Sequence, residues 1–247
     1  MKDTLDNLNV LVTGAASGIG QAVAEAFAKE GANLALADIK PLQPTESILD
    51  NYGANYISAN VDISNEESVS MFVNRTAAEL GNPDIAIHCA GVIHQKELID
   101  TTMADFDRVM SVNLRGTFLF GREILRRMRE AGEGRLINIA SDLSYIGREE
   151  FSVYCASKAA VLSLTRSWAL EFAPHILINA ICPGPINTAM LAAEHMSPEW
   201  REKELDIPLK RFGEASEIAA TAVFLAGPGA RFITGQGIGV NGGSVMC

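Results

Sequence analysis

Short apolar runs alternate with longer amphipathic stretches along the whole chain, and this alternation restricts the fold more than any other feature. Residues 9–13, 33–38, 55–60, 85–89, 135–140, 177–181 and 237–240 read as buried strands. Between them, 18–30, 66–80, 104–131, 152–172 and 214–225 carry helical patterns, with a shorter helix over 45–52. Strands that alternate with helices imply a parallel sheet, because each parallel connection needs a crossover whose helix covers a face. The predicted fold class is therefore α/β: a doubly wound parallel sheet of about seven strands with helices on both faces. At 247 residues without a composition shift, the chain reads as one domain over 1–247.

Composition narrows the partners. Hydrophobic residues make up 48% and charged residues 20%, the balance of a soluble globular protein. A net charge of −10 argues against nucleic acid or an anionic membrane as partner. No apolar run reaches the roughly 20 residues of a membrane span, and the start, MKDTLDNLNV, lacks the apolar core of a signal peptide. The expected location is the cytoplasm. Cys89, Cys155, Cys182 and Cys247 are scattered, without CxxC spacing, and read as small hydrophobes in a reducing compartment. His88, His94, His175 and His195 show no metal-ligand pairing, so no metal is expected.

The first predicted strand runs into Thr13-Gly14-Ala15-Ala16-Ser17-Gly18-Ile19-Gly20 and directly into a helix. Glycines allow a sharp turn and close approach to a pyrophosphate, and the helix N-terminus offers free N–H groups and positive potential. Asp38 ends the second strand 18 residues past Gly20, where a carboxylate can accept from ribose hydroxyls and would repel a 2′-phosphate. Arg is absent from 15–17 and 39, and Lys40 is the one nearby cation. NAD is therefore favoured over NADP; the other reading of Asp38 is a loop-capping carboxylate. Asp62 and Ile63 close the third strand, where Asp62 could accept from an adenine amino group. Cys89, Ala90 and Gly91 close the fourth, where small residues would let a cofactor lie against the backbone. Both segments could equally be ordinary strand-end turns.

Tyr154 and Lys158 stand four apart on a predicted helix, hence on one face. A free phenol is a poor base at neutral pH. An adjacent ammonium favours the phenolate and moves its pKa toward the working range, where acid–base catalysis is efficient. Thirteen residues upstream, Ser141 follows an apolar strand and could orient a substrate oxygen. Asn113 is a polar residue in an apolar helical stretch, which calls for a buried partner. Pro183-Gly184-Pro185-Ile186-Asn187-Thr188 forms a rigid turn whose backbone and hydroxyl could fix a carboxamide. The polar segment 189–208 interrupts the rhythm after a late strand and reads as a lid over the strand ends, with a plain surface helix as the other reading.

Taken together, these residues resemble the short-chain dehydrogenases/reductases along essentially the whole chain. In that family TGxxxGxG is the phosphate turn, matched by Thr13, Gly14, Gly18 and Gly20. Its Asn–Ser–Tyr–Lys catalytic set falls on Asn113, Ser141, Tyr154 and Lys158. Its PGxxxT motif falls on Pro183, Gly184 and Thr188, with Ile186 at the position whose backbone holds the carboxamide. Ser17 and Ile19 lie within the phosphate turn. The family usually reads NNAG at the fourth strand, whereas this chain reads His88-Cys89-Ala90-Gly91. The absent Asn puts in doubt the tie between neighbouring strands.

The resemblance implies hydride transfer between a nicotinamide and a secondary alcohol or ketone. Tyr154 would exchange the proton, Lys158 would lower its pKa and bind ribose, Ser141 would orient the substrate, and Asn113 would hold a water beside Lys158. A Tyr-x3-Lys epimerase or dehydratase would carry an extra C-terminal domain, and a silent NAD-binding scaffold would have lost part of the set. Loops at about 92–96, 142–150 and 184–205 shape the family's pocket. Here they carry His94, Gln95, Asp142, Arg148, Glu149 and Glu150, which would suit a sugar, polyol or hydroxy acid, or would simply face water. The alternative substrate is an apolar ketone. The arginines of 122–135 are interleaved with glutamates and read as a solvated or subunit-facing side. The family's usual assembly is a homotetramer.

Overall fold

A computed structural model describes residues 5–246, so Cys247 and residues 1–4 of the N-terminal segment lie outside the described residues. In chain order the elements are β1 (Asn9–Thr13), α1 (Gly18–Lys29), β2 (Asn33–Asp38), α2 (Gln43–Asp50), β3 (Tyr56–Asn60), α3 (Glu66–Glu79) and β4 (Ile85–His88). There follow α4 (Met103–Met110), α5 (Gly116–Ala131), β5 (Gly134–Ile139), α6 (Ser152–Phe172), β6 (Ile176–Pro183), β7 (Ile186–Asn187), α7 (Pro198–Leu205), β8 (Gly213–Glu214), α8 (Ala215–Ala226) and β9 (Gly237–Val240).

Seven strands form one sheet in the order β3-β2-β1-β4-β5-β6-β9, every pair parallel. This is the doubly wound architecture the strand–helix alternation predicts. Successive β1 residues explain how one sheet builds two cores, since side chains alternate between faces. Val10 and Val12 pack with Val23 and Phe27 of α1 and Ile218 and Leu225 of α8. Leu11 points the other way, into a layer with Val69 and Phe72 of α3, Phe120 and Ile124 of α5, and Trp168 of α6. Both faces are covered, which is why the strands are predominantly apolar.

The order reverses between β1 and β4, so connections leave to opposite sides there and open a crevice at the strands' carboxyl ends. A small parallel pair, β7 with β8, lies beyond the end of β6. Residues 104–131, expected as one helix, are split by a π-helical turn, Ser111–Arg115, between α4 and α5. The backbone continues in helical conformation on both sides of this turn.

The interleaved arginines are mostly paired on the surface: Arg122 with Glu66 and Glu123, and Arg126 with Glu123. Arg135 departs from the expected solvated side. It is buried and donates to the Leu225 carbonyl at 2.7 Å and to the Gly227 carbonyl, capping the C-terminus of α8. Among the described residues no helix is long and apolar enough to cross a membrane, and no cluster of three His, Cys, Asp or Glu could hold a metal ion.

Candidate active site

A cavity of about 610 Å³ opens at the reversal point. Its wall contains Gly14, Ser17, Gly18, Ile19, Gly20, Asp38, Asp62, Ile63, Ala90, Gly91, Ser141, Tyr154, Lys158, Pro183, Gly184, Ile186 and Thr188. Every sequence-derived site residue except Asn113 is therefore at one concave surface.

The turn after β1 is shaped by absent side chains. A Cβ at Gly20 would lie 2.1 Å from the Gly14 carbonyl oxygen, and Gly14 itself has a φ of +68°. Side chains are excluded there, leaving backbone amides and the start of α1 facing the cavity. No side chain caps that N-terminus, since Ser17 makes no capping hydrogen bond. Uncommitted N–H groups at a helix start are suited to a phosphate.

Asp38 performs the loop-capping role as well as lining the cavity. Its carboxylate accepts from the Ala16 N–H at 2.9 Å and the Lys40 N–H at 2.8 Å, so it holds the phosphate turn in place. Asp62 is held in turn by the Ser64 N–H at 2.9 Å and the Ser64 hydroxyl at 2.6 Å.

The reversal point is tied together at Thr13. Its hydroxyl meets His88 Nδ1 at 2.8 Å and accepts from the Ala90 N–H at 3.3 Å. Next to Cys89, which stands in place of the usual Asn, His88 thus joins β4 to β1. His88 stacks on Phe120 at 5.2 Å between ring centroids, and its burial holds the imidazole down to about pKa 3, neutral at physiological pH.

Ser141, Tyr154 and Lys158 meet at the end of β5. Ser141 and Tyr154 both line the cavity. Lys158 Nζ stands 5.9 Å from the Tyr154 ring centroid and donates to the Ile139 carbonyl at 2.7 Å. The electrostatics differ from the sequence-based expectation. Burial raises the Tyr154 phenol well above its ordinary value, and burial lowers the Lys158 ammonium to about 8. Helical spacing reports adjacency, whereas desolvation depends on everything packed around the pair.

Asn113 sits behind this group rather than in the wall. Its side chain accepts from the Val92 N–H at 2.8 Å and donates to the Val92 carbonyl at 2.9 Å and to Ser157 Oγ at 3.0 Å. Its backbone carbonyl accepts from the Thr117 hydroxyl at 2.6 Å. A Cβ at Gly91 would come within 3.4 Å of both Asn113 Oδ1 and Lys158 Nζ, which places Asn113 next to the lysine.

The polar loop residues do not line the cavity. Gln95 donates to Glu150 at 2.7 Å, Arg148 pairs with Glu204 at 2.8 Å, and Lys203 pairs with Glu149. The cavity wall instead carries Val92, Ile93, Met190 and Leu191, from loops the sequence marked as pocket-shaping without singling out these residues. Val92 and Ile93 directly follow Ala90-Gly91, so their position beyond a strand end was the available signal. Trp200 of α7 stacks edge-on against Phe151 at 6.3 Å, in the same cluster as Tyr154.

A family model described as enoyl-(acyl carrier protein) reductase matches residues 14–245. The chain is 36% identical to an NAD-dependent glycerol dehydrogenase of Listeria innocua, covering 94% of this chain and 92% of that protein. It is 34% identical to a 3-oxoacyl-(acyl-carrier-protein) reductase of Aquifex aeolicus, covering 94% and 95%. A crystal structure of a short-chain type dehydrogenase/reductase from Mycobacterium marinum superposes with a TM-score of 0.91 at 32% identity, covering 97% and 96%. With the glycine turn, the reversal-point cavity and the Ser–Tyr–Lys group in place, the chain belongs to the short-chain dehydrogenase/reductase family.

Proposed function

We propose that this protein is an NAD-dependent oxidoreductase that interconverts a secondary alcohol and a ketone. The observation that carries this reading is the convergence of Ser141, Tyr154 and Lys158 on the same cavity as the side-chain-free turn at Gly14 and Gly20. The nicotinamide, when bound, takes up or delivers the hydride. Gly14, Ser17, Gly18, Ile19 and Gly20 would hold its pyrophosphate, with Asp38 at the ribose and Asp62 and Ile63 near the adenine. Ala90 and Gly91 would lie along the cofactor, and Pro183, Gly184, Ile186 and Thr188 would fix the carboxamide.

Tyr154 is the proton-exchanging group: its phenolic oxygen receives the alcohol proton in oxidation and returns it in reduction. Ser141 orients the substrate oxygen. Lys158 binds ribose and, once a positive nicotinamide adds to its field, helps the buried phenol ionise. Asn113 fixes the loop at Val92 and thereby the surroundings of Lys158. Segment 189–208 acts as a lid over the substrate end. Exposed Met103, Phe106 and Phe118 on α4 and α5 support a homotetramer built on those helices.

Support for a small polyol or related hydroxylated substrate comes from the glycerol dehydrogenase relative. A second reading, reduction of an apolar ketone, is favoured by Val92, Ile93, Met190 and Leu191 in the cavity wall. Following NADH absorbance against a panel of polyols and apolar ketones separates the two. Tyr154→Phe is expected to abolish turnover while NAD binding stays within about twofold of wild type; substantial residual turnover would refute the assignment.

A further inference from the structure

The turn that follows β9 touches three parts of the site that are distant from it in sequence. Asn241 shapes this turn. Its side chain accepts from the Gly243 N–H at 3.0 Å and donates to the Val245 carbonyl at 3.0 Å, and its own carbonyl accepts from the Ser244 N–H at 3.1 Å. A side chain that bonds the backbone two residues on fixes the local chain direction, and with it the place of Ser244.

The first contact is with the turn at Gly184, whose N–H donates to the Val240 carbonyl at 3.2 Å. A Cβ at Gly184 would lie 2.8 Å from Asn241 Cα, so the two backbones are pressed together. The second is with the chain just beyond segment 189–208. The Leu209 N–H donates to the Gly242 carbonyl at 3.1 Å, and a Cβ at Gly243 would lie 2.7 Å from Pro208 Cγ. The third is with the loop of Ser141, where the Ser244 hydroxyl donates to Asp142 Oδ2 at 2.7 Å across 102 positions.

The first two contacts are made by backbone and by residues other than Ser244. The third is a single side-chain bond, and it is passed on. The other oxygen of the same group, Asp142 Oδ1, accepts from the Ser141 hydroxyl at 3.0 Å and from the Leu143 N–H at 2.8 Å. A serine hydroxyl swings about one side-chain torsion with three staggered positions, so the partner it finds selects its direction. Asp142 is 7% exposed, and among the described residues Ser244 is the partner of Oδ2. Without that hydroxyl a buried acceptor loses its bond, and the Asp142 group is free to turn away from Ser141.

We infer that Ser244 is a positioning residue for the reaction: through the side chain of Asp142 it sets the direction of the Ser141 hydroxyl, and its turn ties that setting to the chain at the far end of segment 189–208. The effect on turnover rests on the alcohol–ketone reading, in which Ser141 orients the substrate oxygen. The link from Ser244 to the Ser141 loop is read separately.

The test uses the full chain with NAD. Ser244→Ala removes the hydroxyl, and Ser244→Thr keeps one. Ser244→Ala is expected to lower kcat for alcohol oxidation about tenfold with NADH affinity within about twofold, and Ser244→Thr to recover most of the loss. In a Ser141→Ala background the same Ser244→Ala change should alter kcat by less than about twofold, because the group it acts through is gone. An equal loss in both backgrounds, or wild-type kcat in Ser244→Ala, overturns the inference. Amide hydrogen exchange with NADH bound needs no substrate, and it decides the matter where Ser141→Ala leaves no measurable turnover. In Ser244→Ala the Leu143 and Leu209 N–H groups should exchange about tenfold faster, and the Ala16 N–H of the phosphate turn as in wild type. If no alcohol turns over but exchange rises at those two positions, the proposed function fails and the link from Ser244 to the Ser141 loop stands. Wild-type exchange at Leu143 in Ser244→Ala overturns the inference.

Discussion

The Thr13 hydroxyl lies 2.8 Å from His88 Nδ1, joining β1 to β4 where the strand order reverses. The same hydroxyl also accepts from the Ala90 N–H, so one side chain ties β1 to two positions at the end of β4. Nε2 is buried without a partner, and so is Oδ1 of Asn138, its register neighbour on β5. Protonating the ring would place a charge in this apolar setting.

Acid should therefore weaken the fold through His88. Its pKa is about 3 folded against 6.5 as an ordinary group, so the unfolded chain binds the extra proton first. The stabilisation is complete above pH 6.5 and falls as pH drops from 6.5 toward 3, by up to about 1.4 kcal/mol per pH unit. Denaturant unfolding of wild type and His88→Asn between pH 7 and 4 measures this, since Asn does not titrate. A stability difference that stays constant with pH contradicts the account.

Lys158 carries the opposite compromise. Burial lowers its pKa from 10.5 to about 8, so the cost of its charge is fully present below pH 8 and is relieved as pH rises from 8 to 10.5. Lys158→Met is expected to be more stable than wild type at pH 7, by about 1–3 kcal/mol, and to have lost turnover at least about a hundredfold. Unfolding at pH 7 and pH 10 should show the gap narrowing. A variant less stable than wild type at pH 7 would show that the Lys158 bond to the Ile139 carbonyl outweighs desolvation.

Gly20→Ala introduces a methyl 2.1 Å from the Gly14 carbonyl oxygen, which forces the turn to open. The expected cost is about 1–3 kcal/mol of stability and at least about a tenfold loss of NADH affinity. Fluorescence titration with NADH reads the second quantity. Affinity unchanged from wild type would mean that the pyrophosphate does not sit on this turn.

Asp38→Asn separates the two duties of that side chain. The amide oxygen can still accept from one backbone N–H, while the charge that would repel a 2′-phosphate disappears. Preference for NAD over NADP should fall by about tenfold, with stability changing far less. Paired NADH and NADPH titrations decide it, and an unaltered ratio would remove Asp38 from cofactor discrimination.

Most of the sheet and cofactor surface was legible because both depend on local patterns. Val10, Leu11 and Val12 are buried on alternating faces, so an unbroken apolar run was a sufficient sign of a doubly covered strand. The glycine turn needed only its flanking strand and helix. The π-helical turn at Asn113 was not legible, since a single widened turn inside a long helical pattern leaves no local sequence mark. Nor were the pairings of the polar loops, because Glu149 with Lys203 and Gln95 with Glu150 each join residues more than 50 positions apart. Charges that looked available to a substrate are spent on one another, and the exposed side of α7 hides the inward contact of Trp200.

That contact makes segment 189–208 testable as a lid. Arg148 and Glu204 are both mostly buried and pair at 2.8 Å, and the Arg148 guanidinium lies 5.6 Å from the Trp200 ring centroid. Burial pushes the Glu204 carboxyl up from its ordinary value while Arg148 pulls it down, so removing the arginine would leave a carboxylate poorly solvated next to Asp142. Arg148→Ala should therefore release α7 from the Phe151 side of the cavity, raising substrate KM about tenfold and changing NAD affinity little. Limited proteolysis should cut within 189–208 faster in this variant, and substrate should protect the wild type more than the variant. If proteolysis accelerates but KM does not move, α7 is a surface helix that happens to pack there, and substrate binding owes nothing to its closure.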